Sequence, residues 1–318
     1  MNNESSPSAT PWQQIRQVFD LFWMSPADLR MLDVMRRFYG ELVIVCSAIL
    51  WLDHRTFFGA GSLLPADAAR GVVDPDVFTV YSFLPDHPLS VALFLLLSMI
   101  CGGLLIAGIY PRITAGITLF LLTGVHHSNM MLFDAEDTVF RLFAFFFIFA
   151  PPWRELKEAP TTLSPERPHA GFPAWPIRLF QLQFCLIYLC AGIQKSNGAE
   201  WIDGTAVYYT LRLDDMTGCH LPGFIAESLA WSKFFTWGTL AFELLVPFLI
   251  WNRWLRWPCI VLAMLFHLGM EYAFNLHLFH PIMLVGLLSF VRYDELQRAW
   301  KFVVMKVTKR TDLAEVAA

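Results

Sequence analysis

A lysine marks the end of an apolar run in the stretch YLCAGIQKSNGAEWIDGTAVYYT, residues 188–210. Lys195 is the first charged residue after Arg178. At a poorly hydrated site near the membrane surface, the charged form of an amine is disfavoured, because it loses its hydration. The neutral amine can then take a proton from a weak acid such as a hydroquinone. The alternative is an amine that snorkels to the interface over its apolar stem. Position alone favours snorkelling, so a chemical role for Lys195 needs further support.

A polar stripe follows one helix face further along the chain. His267, Glu271 and Asn275 stand at i, i+4 and i+8 in FHLGMEYAFN. Ionisable side chains inside apolar segments are costly, and they indicate either function or structural pairing. The stripe therefore predicts a helix face that contacts water or polar partner residues, with His267 and Glu271 as catalytic candidates. A core histidine with one hydrogen-bond partner is the alternative for His267.

Glu243 is a lone carboxylate in the apolar segment AFELLVPF. A carboxylate near the middle of a membrane requires a partner. Lys195, Arg141 and His267 are the three candidates, and the sequence does not choose among them.

Further polar residues stand near the same ends of the apolar segments as Lys195. Asp137 and Arg141 are at i and i+4, the favourable acid-before-base order on one helix face. His127 and Asn129 precede them in GVHHSNMM. We expect these residues to line an outward-opening polar cavity. A set of unrelated boundary residues is the alternative.

The sequence offers little support for a metal site, a nucleotide site or a nucleic-acid partner. The pairs His126-His127 and His277-x-x-His280 match a histidine-ligated metal site weakly, because membrane di-iron enzymes hold their histidines on the cytoplasmic side, whereas most of the nine histidines here are expected on the outer side. There is no Gly-rich phosphate loop, nucleophile elbow or CxxC pair. A net charge of -4 without a basic cluster argues against a nucleic-acid partner. We therefore expect neither a metal nor a nucleic acid.

The elements that must hold these residues are membrane-spanning helices. The 318 residues are 56% hydrophobic and 16% charged, too apolar for a soluble domain of this size. Eight windows approach the roughly 20 residues that cross a bilayer, namely 38–53, 88–109, 113–133, 138–151, 177–196, 234–251, 257–275 and 277–291. The fourth and eighth are short, so seven spans are the alternative. We predict an all-α polytopic transmembrane helical bundle of about eight spans.

The distribution of charge predicts the orientation and the domains. Lys and Arg concentrate in alternate connecting segments, which favours two cytoplasmic termini and an outer position for Lys195. We expect an N-terminal segment (1–36), of which 12–36 lies along the inner surface, a transmembrane domain (37–291) and a cytoplasmic tail (292–318). The proline-rich linker 153–176 cannot continue a helix and divides the domain. Gly103 and Ala107 predict a close helix contact.

The stretch around Lys195 resembles the vitamin K-dependent gamma-carboxylase family. In that family an apolar helix ends in Ala-Gly-x-x-Lys and a Trp-x-x-Gly turn follows; the matching residues are Ala191, Gly192, Lys195, Trp201 and Gly204. SPADLRMLDVMRRFYG, RLFAFFFIFAPPW, FELLVPF and FHLGMEYAFNLHLFHPIML resemble other family segments in the same order, across most of residues 24–291. The chain is identified as a member of the bacterial branch, the horizontally transferred transmembrane (HTTM) proteins.

The resemblance implies that Lys195 is the base that deprotonates a reduced vitamin K-type quinone, with O2 and CO2 as co-substrates. It implies that aromatic residues around Trp201 line the entrance to the quinone site. It also aligns His267 with the family's Phe-His pair. A further family histidine matches His127 or falls opposite Glu136 or Asp137. With the polar residues above, the predicted catalytic residues are Lys195, His267 and Glu271, and the predicted quinone contacts are Trp201, His127, Asn129, Asp137, Arg141 and Glu243.

The chain also departs from the carboxylase pattern. Only residues 292–318 follow the last window, so we expect no luminal domain for binding a protein substrate. The predicted function is an enzyme of the bacterial cytoplasmic (inner) membrane, active toward the periplasm, that drives oxidation or carboxylation of a small or peptide substrate. One alternative is an SdpB-like accessory protein for maturation or export of a secreted peptide, without quinone chemistry. The other is a transporter, for which Pro247 is the one mid-span helix break. Membrane lipid is the expected surrounding partner.

Overall fold

A computed structural model describes residues 10–59, 61–63, 65, 77–158, 171–213, 217–219 and 221–316. These residues form fifteen α-helices and one pair of short antiparallel strands. The helices are α1 (Pro11–Trp23), α2 (Arg30–Leu52), α3 (His54–Phe57), α4 (Pro88–Ala107), α5 (Pro111–Ser128), α6 (Ala135–Phe147), α7 (Trp153–Glu158), α8 (Trp175–Lys195), α9 (Ala199–Asp203), α10 (Ala206–Thr210), α11 (Gly223–Ala226), α12 (Leu229–Leu249), α13 (Arg256–Ala273), α14 (Phe279–Leu287) and α15 (Tyr293–Val316). The strands are β1 (Pro26–Ala27) and β2 (Phe172–Pro173). The predicted all-α class is confirmed.

Each of the eight apolar windows contains a long or central helix: α2, α4, α5, α6, α8, α12, α13 and α14. By length and composition, α4 and α8 could cross a membrane. The 13 residues of α6 extend for only about 20 Å, which is shorter than the roughly 30 Å hydrocarbon core. The first turns of α2 are charged. The count of eight spans therefore stays a prediction.

Contacts between helix ends indicate that successive long helices run in alternate directions. The pairing of β1 with β2 brings the start of α2 to the start of α8. Arg112, early in α5, donates a hydrogen bond of 3.1 Å to the carbonyl of Ala150, after α6. Arg256, at the start of α13, pairs with Glu295, after α14. We call the end of the bundle where α2 begins the proximal end and the opposite end the distal end.

The core is continuous across both halves of the bundle. One buried cluster joins α2, α6, α8 and α14, and a second joins α8, α12, α13 and α14. The short helix α14 is central, because it contributes buried residues to both. Gly286 permits this packing, since an added Cβ would lie 3.0 Å from the ring of Phe143 and 3.3 Å from the ring of Phe184. The geometry of α14 thus decides what can approach α8 and α13.

The close contact between α2 and α4 uses a different glycine from the one predicted. Gly103 and Ala107 are exposed, and an added Cβ at Gly103 would meet nothing within 4 Å. Gly102 faces α2 instead, where a Cβ would lie 2.7 Å from the carbonyl oxygen of Gly40. The prediction from Gly103 and Ala107 was wrong. Neighbouring residues on a helix point in directions about 100° apart, and the composition of a segment does not determine which of them faces the next helix.

Large apolar side chains also cover the outside of the bundle. On α4, Leu93 is 45% exposed and Ile100 is 51% exposed. An extended apolar surface of this kind is typical of contact with lipid or with another protein.

The two terminal segments differ in detail from their prediction. Residues 30–36 are the first turns of α2 rather than a surface segment, and the buried Asp33 pairs there with Arg36 and Arg37. These ion pairs allow the helix to begin before its apolar part. Helix α1 has no buried residue and exposes Trp12, Ile15 and Phe19 on its apolar side, as an interfacial helix would. Within the linker, α7 and β2 are described, and residues 159–170 lie outside the described residues.

Candidate active site

Lys195 and Glu243 form an ion pair between α8 and α12. The distance from Lys195 Nζ to Glu243 Oε1 is 2.6 Å. The Glu243 side chain is 6% exposed, whereas that of Lys195 is 28% exposed. Of the three partners that the sequence left open for Glu243, the structure selects Lys195.

A glycine one turn before Lys195 lets the two helices approach. A Cβ added at Gly192 would lie 2.9 Å from Leu244 Cδ2 and 3.2 Å from Glu243 Cβ. Gly192 and Lys195 are three residues apart and therefore share a helix face. The Ala-Gly-x-x-Lys pattern thus combines the helix contact with the charge that the contact positions.

Trp201 completes the surroundings of the amine. Lys195 Nζ lies 5.3 Å from the centroid of the Trp201 ring, within the range of a cation–π contact. Trp201 belongs to the one-turn helix α9, which ends at Gly204 with φ 87°. This left-handed conformation favours glycine, so the Trp-x-x-Gly spacing has a direct structural reason.

The second carboxylate oxygen of Glu243 has no partner in the described part of the chain. Oε2 is buried and accepts no hydrogen bond from a described residue. A buried, unsatisfied carboxylate oxygen is costly and favours a water or ligand hydroxyl beside it. The pair therefore presents one free acceptor and one partly exposed amine at the same place.

A separate chain of three buried side chains lies within the bundle. The Tyr188 hydroxyl is hydrogen-bonded to His267 Nε2, and His267 Nδ1 lies 2.9 Å from His280 Nδ1. All three residues are at most 3% exposed. With neutral rings, either the Tyr188 hydroxyl donates and the protons point toward His280, or the imidazoles donate in the opposite direction. A chain with two such proton arrangements can relay a proton.

The ion pair and the histidine chain share one face of α8. Tyr188 and Lys195 are seven residues apart, which places them on the same side of the helix. Tyr188 was not among the predicted residues, although its i, i+4, i+7 spacing with Gly192 and Lys195 was the available signal. His280 was predicted only as a weak metal ligand and as a residue near the outer ends of the spans.

The predicted stripe on α13 does not form one continuous polar face. His267 is fully buried, but Glu271 is exposed, and Asn275 lies beyond the end of α13 at Ala273. Glu271 does not join the described contacts of the histidine chain. His277 is also exposed, whereas His280 is buried. The described residues contain no group of three or more His, Cys, Asp or Glu arranged to hold a metal.

A second polar cluster lies where α5 ends and α6 begins. Arg141 Nη1 donates a hydrogen bond of 2.7 Å to His127 Nε2, and His127 Nδ1 donates one of 3.0 Å to the carbonyl of Phe78. Among the described residues, Asp137 and Arg141 form no ion pair within 4 Å, so the favourable i, i+4 pairing stays a prediction. Asp137 Oδ2 instead accepts from the backbone N–H of Asp134 at 2.9 Å, because a carboxylate in the first turn can cap its own helix.

The second cluster has a mainly structural arrangement. Asn129 donates a hydrogen bond of 2.8 Å to the carbonyl of Phe57 and accepts one from the backbone N–H of Met131. Asp137 Oδ1 lies 3.6 Å from Nε2 of the buried His126. Both clusters are at the distal end, but no described hydrogen bond or ion pair joins them. A single cavity lined by all the predicted residues stays a prediction, since loop residues 214–216 and 220 lie outside the described residues.

Comparison with known proteins identifies one family. The model described as HTTM domain matches residues 25–294, which includes α2, the whole bundle, the ion pair and the histidine chain. Among curated proteins and solved structures, the chain has no significant match.

Proposed function

Because the chain belongs to the HTTM-domain family, we propose that it is a membrane enzyme in which Lys195 acts as a base toward a hydroxyl of a reduced quinone. The family is membrane-associated and comprises vitamin K-dependent carboxylase-like and SdpB-like proteins. In this proposal the reaction oxidises or carboxylates a small or peptide substrate on the outer side of the bacterial inner membrane.

The 2.6 Å contact between Lys195 Nζ and Glu243 Oε1 is the observation that carries the proposal. Three features of the pair fit a hydroquinone. Glu243 Oε2 is a free acceptor for a hydroxyl, Lys195 is partly exposed, and the Trp201 ring next to the amine suits an aromatic ring. When bound, a reduced quinone supplies an acidic hydroxyl and two electrons, with O2 and CO2 as the proposed co-substrates.

Glu243 is proposed to control the proton on Lys195. In a poorly hydrated site, a neutral amine beside a protonated carboxyl is close in energy to the ion pair, because burial disfavours both charges. Transfer of the proton along the hydrogen bond from Nζ to Oε1 leaves a free amine. Once Glu243 has released this proton, its carboxylate stabilises the ammonium that forms when the amine takes the proton of the hydroquinone hydroxyl. Tyr188, His267 and His280 offer a path for the proton that Glu243 releases.

The same contact supports a second function. A lysine whose amine already has a carboxylate partner is satisfied structurally, as in an SdpB-like accessory protein that matures or exports a secreted peptide. In that case Arg at position 195 would preserve the ion pair and the function. The two proposals therefore differ in what they require of the amine.

Replacing Lys195 with Arg separates the two functions, because Arg keeps the charge but cannot act as a free base. Purified protein in nanodiscs is supplied with reduced menaquinone or phylloquinone and O2, and the quinone epoxide is measured by mass spectrometry. We expect epoxide from the wild type and at least about a hundredfold less from Lys195→Arg.

Lys233→Arg is the matched control. Lys233 also lies over a tryptophan, with Nζ 5.8 Å from the ring centroid of Trp237, and it makes no described ion pair. This variant should form epoxide at the wild-type rate. Equal rates from wild type and Lys195→Arg would contradict the base assignment, and absence of epoxide from the wild type would favour the accessory function.

A further inference from the structure

We propose that a pocket at the proximal end binds a phosphate-bearing anion, with an anionic phospholipid as its favoured source. A cavity of about 620 Å³ lies between the first turns of α2, the α4–α5 turn and the start of α7. Four arginines line it: Arg36, Arg37, Arg112 and Arg154. They come from three separate parts of the chain, so the sequence contains no basic cluster and only the fold brings them together.

The charge within the pocket is not neutralised. Asp33 pairs with Arg36 and Arg37, and Glu155 lies 3.6 Å from Arg112. Arg154 makes no ion pair with a described residue. Four guanidinium groups thus face two carboxylates, and the excess of positive charge favours an anion.

One nitrogen of a buried guanidinium at the base of the pocket has no partner among the described residues. Arg36 is 3% exposed, and its Nη1 has no hydrogen-bond partner among the described residues. An unpaired, buried N–H of a charged group is costly. Gly108, which also lines the pocket, lies directly above this guanidinium, since a Cβ there would be 3.2 Å from Arg36 Nη2. Planar guanidinium groups recognise phosphate through paired hydrogen bonds.

The start of α5 adds a second favourable element. This 18-residue helix begins at Pro111, and Tyr110 caps it without a side-chain hydrogen bond. The free N–H groups and the positive end of the helix dipole at this terminus favour a negative charge. The arginine side chains and the start of α5 therefore both favour an anionic ligand.

The rim of the pocket is apolar, which favours a lipid over a soluble anion. Ile109 is 46% exposed, Tyr110 75% and Ile113 64%, and all three line the pocket. An amphiphile can place its phosphate among the arginines and its acyl chains along these side chains. The pocket is at the opposite end of the bundle from Lys195, so this inference does not depend on the proposed chemistry.

Native mass spectrometry of the full chain in detergent tests the proposal with three probes. These are phosphatidylglycerol, phosphatidylcholine and inorganic phosphate. We expect saturable binding of phosphatidylglycerol, and binding roughly thirtyfold weaker in the Arg37→Gln/Arg154→Gln variant because two guanidinium groups are lost. Arg253→Gln/Arg298→Gln removes the same charge from exposed arginines outside the pocket and should bind like the wild type.

The probes also distinguish the source of the anion. Binding of phosphatidylglycerol without an effect of inorganic phosphate identifies a lipid headgroup. Competition by millimolar inorganic phosphate identifies a soluble phosphate instead and still supports the site. Equal binding of both phospholipids by wild type, or equal loss of binding in the pocket variant and its control, would overturn the proposal. Melting temperatures of both variants without lipid establish that they are folded.

Discussion

The Lys195–Glu243 pair has one partner deep in the bundle and one near its surface. Glu243 retains 6% of its side-chain exposure and Lys195 retains 28%. A flexible lysine stem can carry its amine to the interface when its partner is removed, but a buried carboxylate has no such escape. The two single substitutions should therefore have unequal effects on stability.

A double-mutant cycle at this pair measures that asymmetry. We expect Lys195→Met to lower the free energy of unfolding by about 3–5 kcal/mol, because it leaves the Glu243 carboxylate buried and unpaired. Glu243→Leu should cost about 1 kcal/mol or less, as for an exposed pair, since Lys195 can snorkel. The Lys195→Met/Glu243→Leu double variant should approach wild-type stability.

Unfolding by SDS titration in detergent micelles provides the measurement. The control is Lys233→Met, which removes a lysine that has no described carboxylate partner. Additive effects of the two single substitutions would mean that the 2.6 Å contact contributes no coupling between them.

Between elements, glycines decide which helices touch. Gly192 sets the approach of α8 to α12, Gly286 sets the packing around α14, and the pair Gly40–Gly102 sets the approach of α2 to α4. Each of these glycines would place a Cβ within about 3 Å of a neighbour. The candidate active site depends on this close packing, since it positions Glu243 and His280 next to α8.

Two neighbouring glycines on α4 allow a matched test. A Cβ at Gly102 would lie 2.7 Å from a backbone oxygen that cannot move freely, whereas a Cβ at Gly103 meets open space. Gly102→Ala should lower the free energy of unfolding by about 1–3 kcal/mol through overpacking. Gly103→Ala should leave it unchanged or raise it slightly, because Ala is the better helix former. Thermal unfolding of both variants in nanodiscs checks this, and equal melting temperatures would contradict the contact between α2 and α4.

Two kinds of polar site lie at opposite ends of the molecule. The distal end holds the ion pair and the histidine-rich clusters, and the proximal end holds the arginine pocket. The positive-inside rule predicts that the end rich in arginine faces the cytoplasm. This orientation would expose the Lys195 site to the periplasm and the pocket to the inner leaflet.

A native thiol reports the predicted orientation. Cys219 is free, exposed and held at the distal end by a hydrogen bond of 2.9 Å from its N–H to the carbonyl of Tyr272. In a Cys190→Ser background, a membrane-impermeant maleimide should label Cys219 in spheroplasts. A proximal Arg253→Cys variant, with Cys219→Ser, should be labelled only after lysis. The reverse pattern would show that the distal end faces the cytoplasm.

The sequence by itself determined the helices and the residue order around Lys195. Apolar composition over a window is a local property, so each of the eight windows contains a helix. The requirement for glycine at Gly204 and the position of Lys195 at the end of α8 are also local. The family resemblance depended on the order of such features along the chain, and the match over residues 25–294 confirms the HTTM-domain family.

Only the tertiary structure decided which polar groups meet. Three results depend on which face of each helix turns inward. These are the pairing of Glu243 with Lys195, the hydrogen-bonded chain of Tyr188, His267 and His280, and the pocket that brings together Arg36, Arg112 and Arg154. A shift of one residue turns a side chain by about 100°, and hydrophobicity that is spread around a helix does not fix this angle. Gly102 in place of Gly103 results from that rotation.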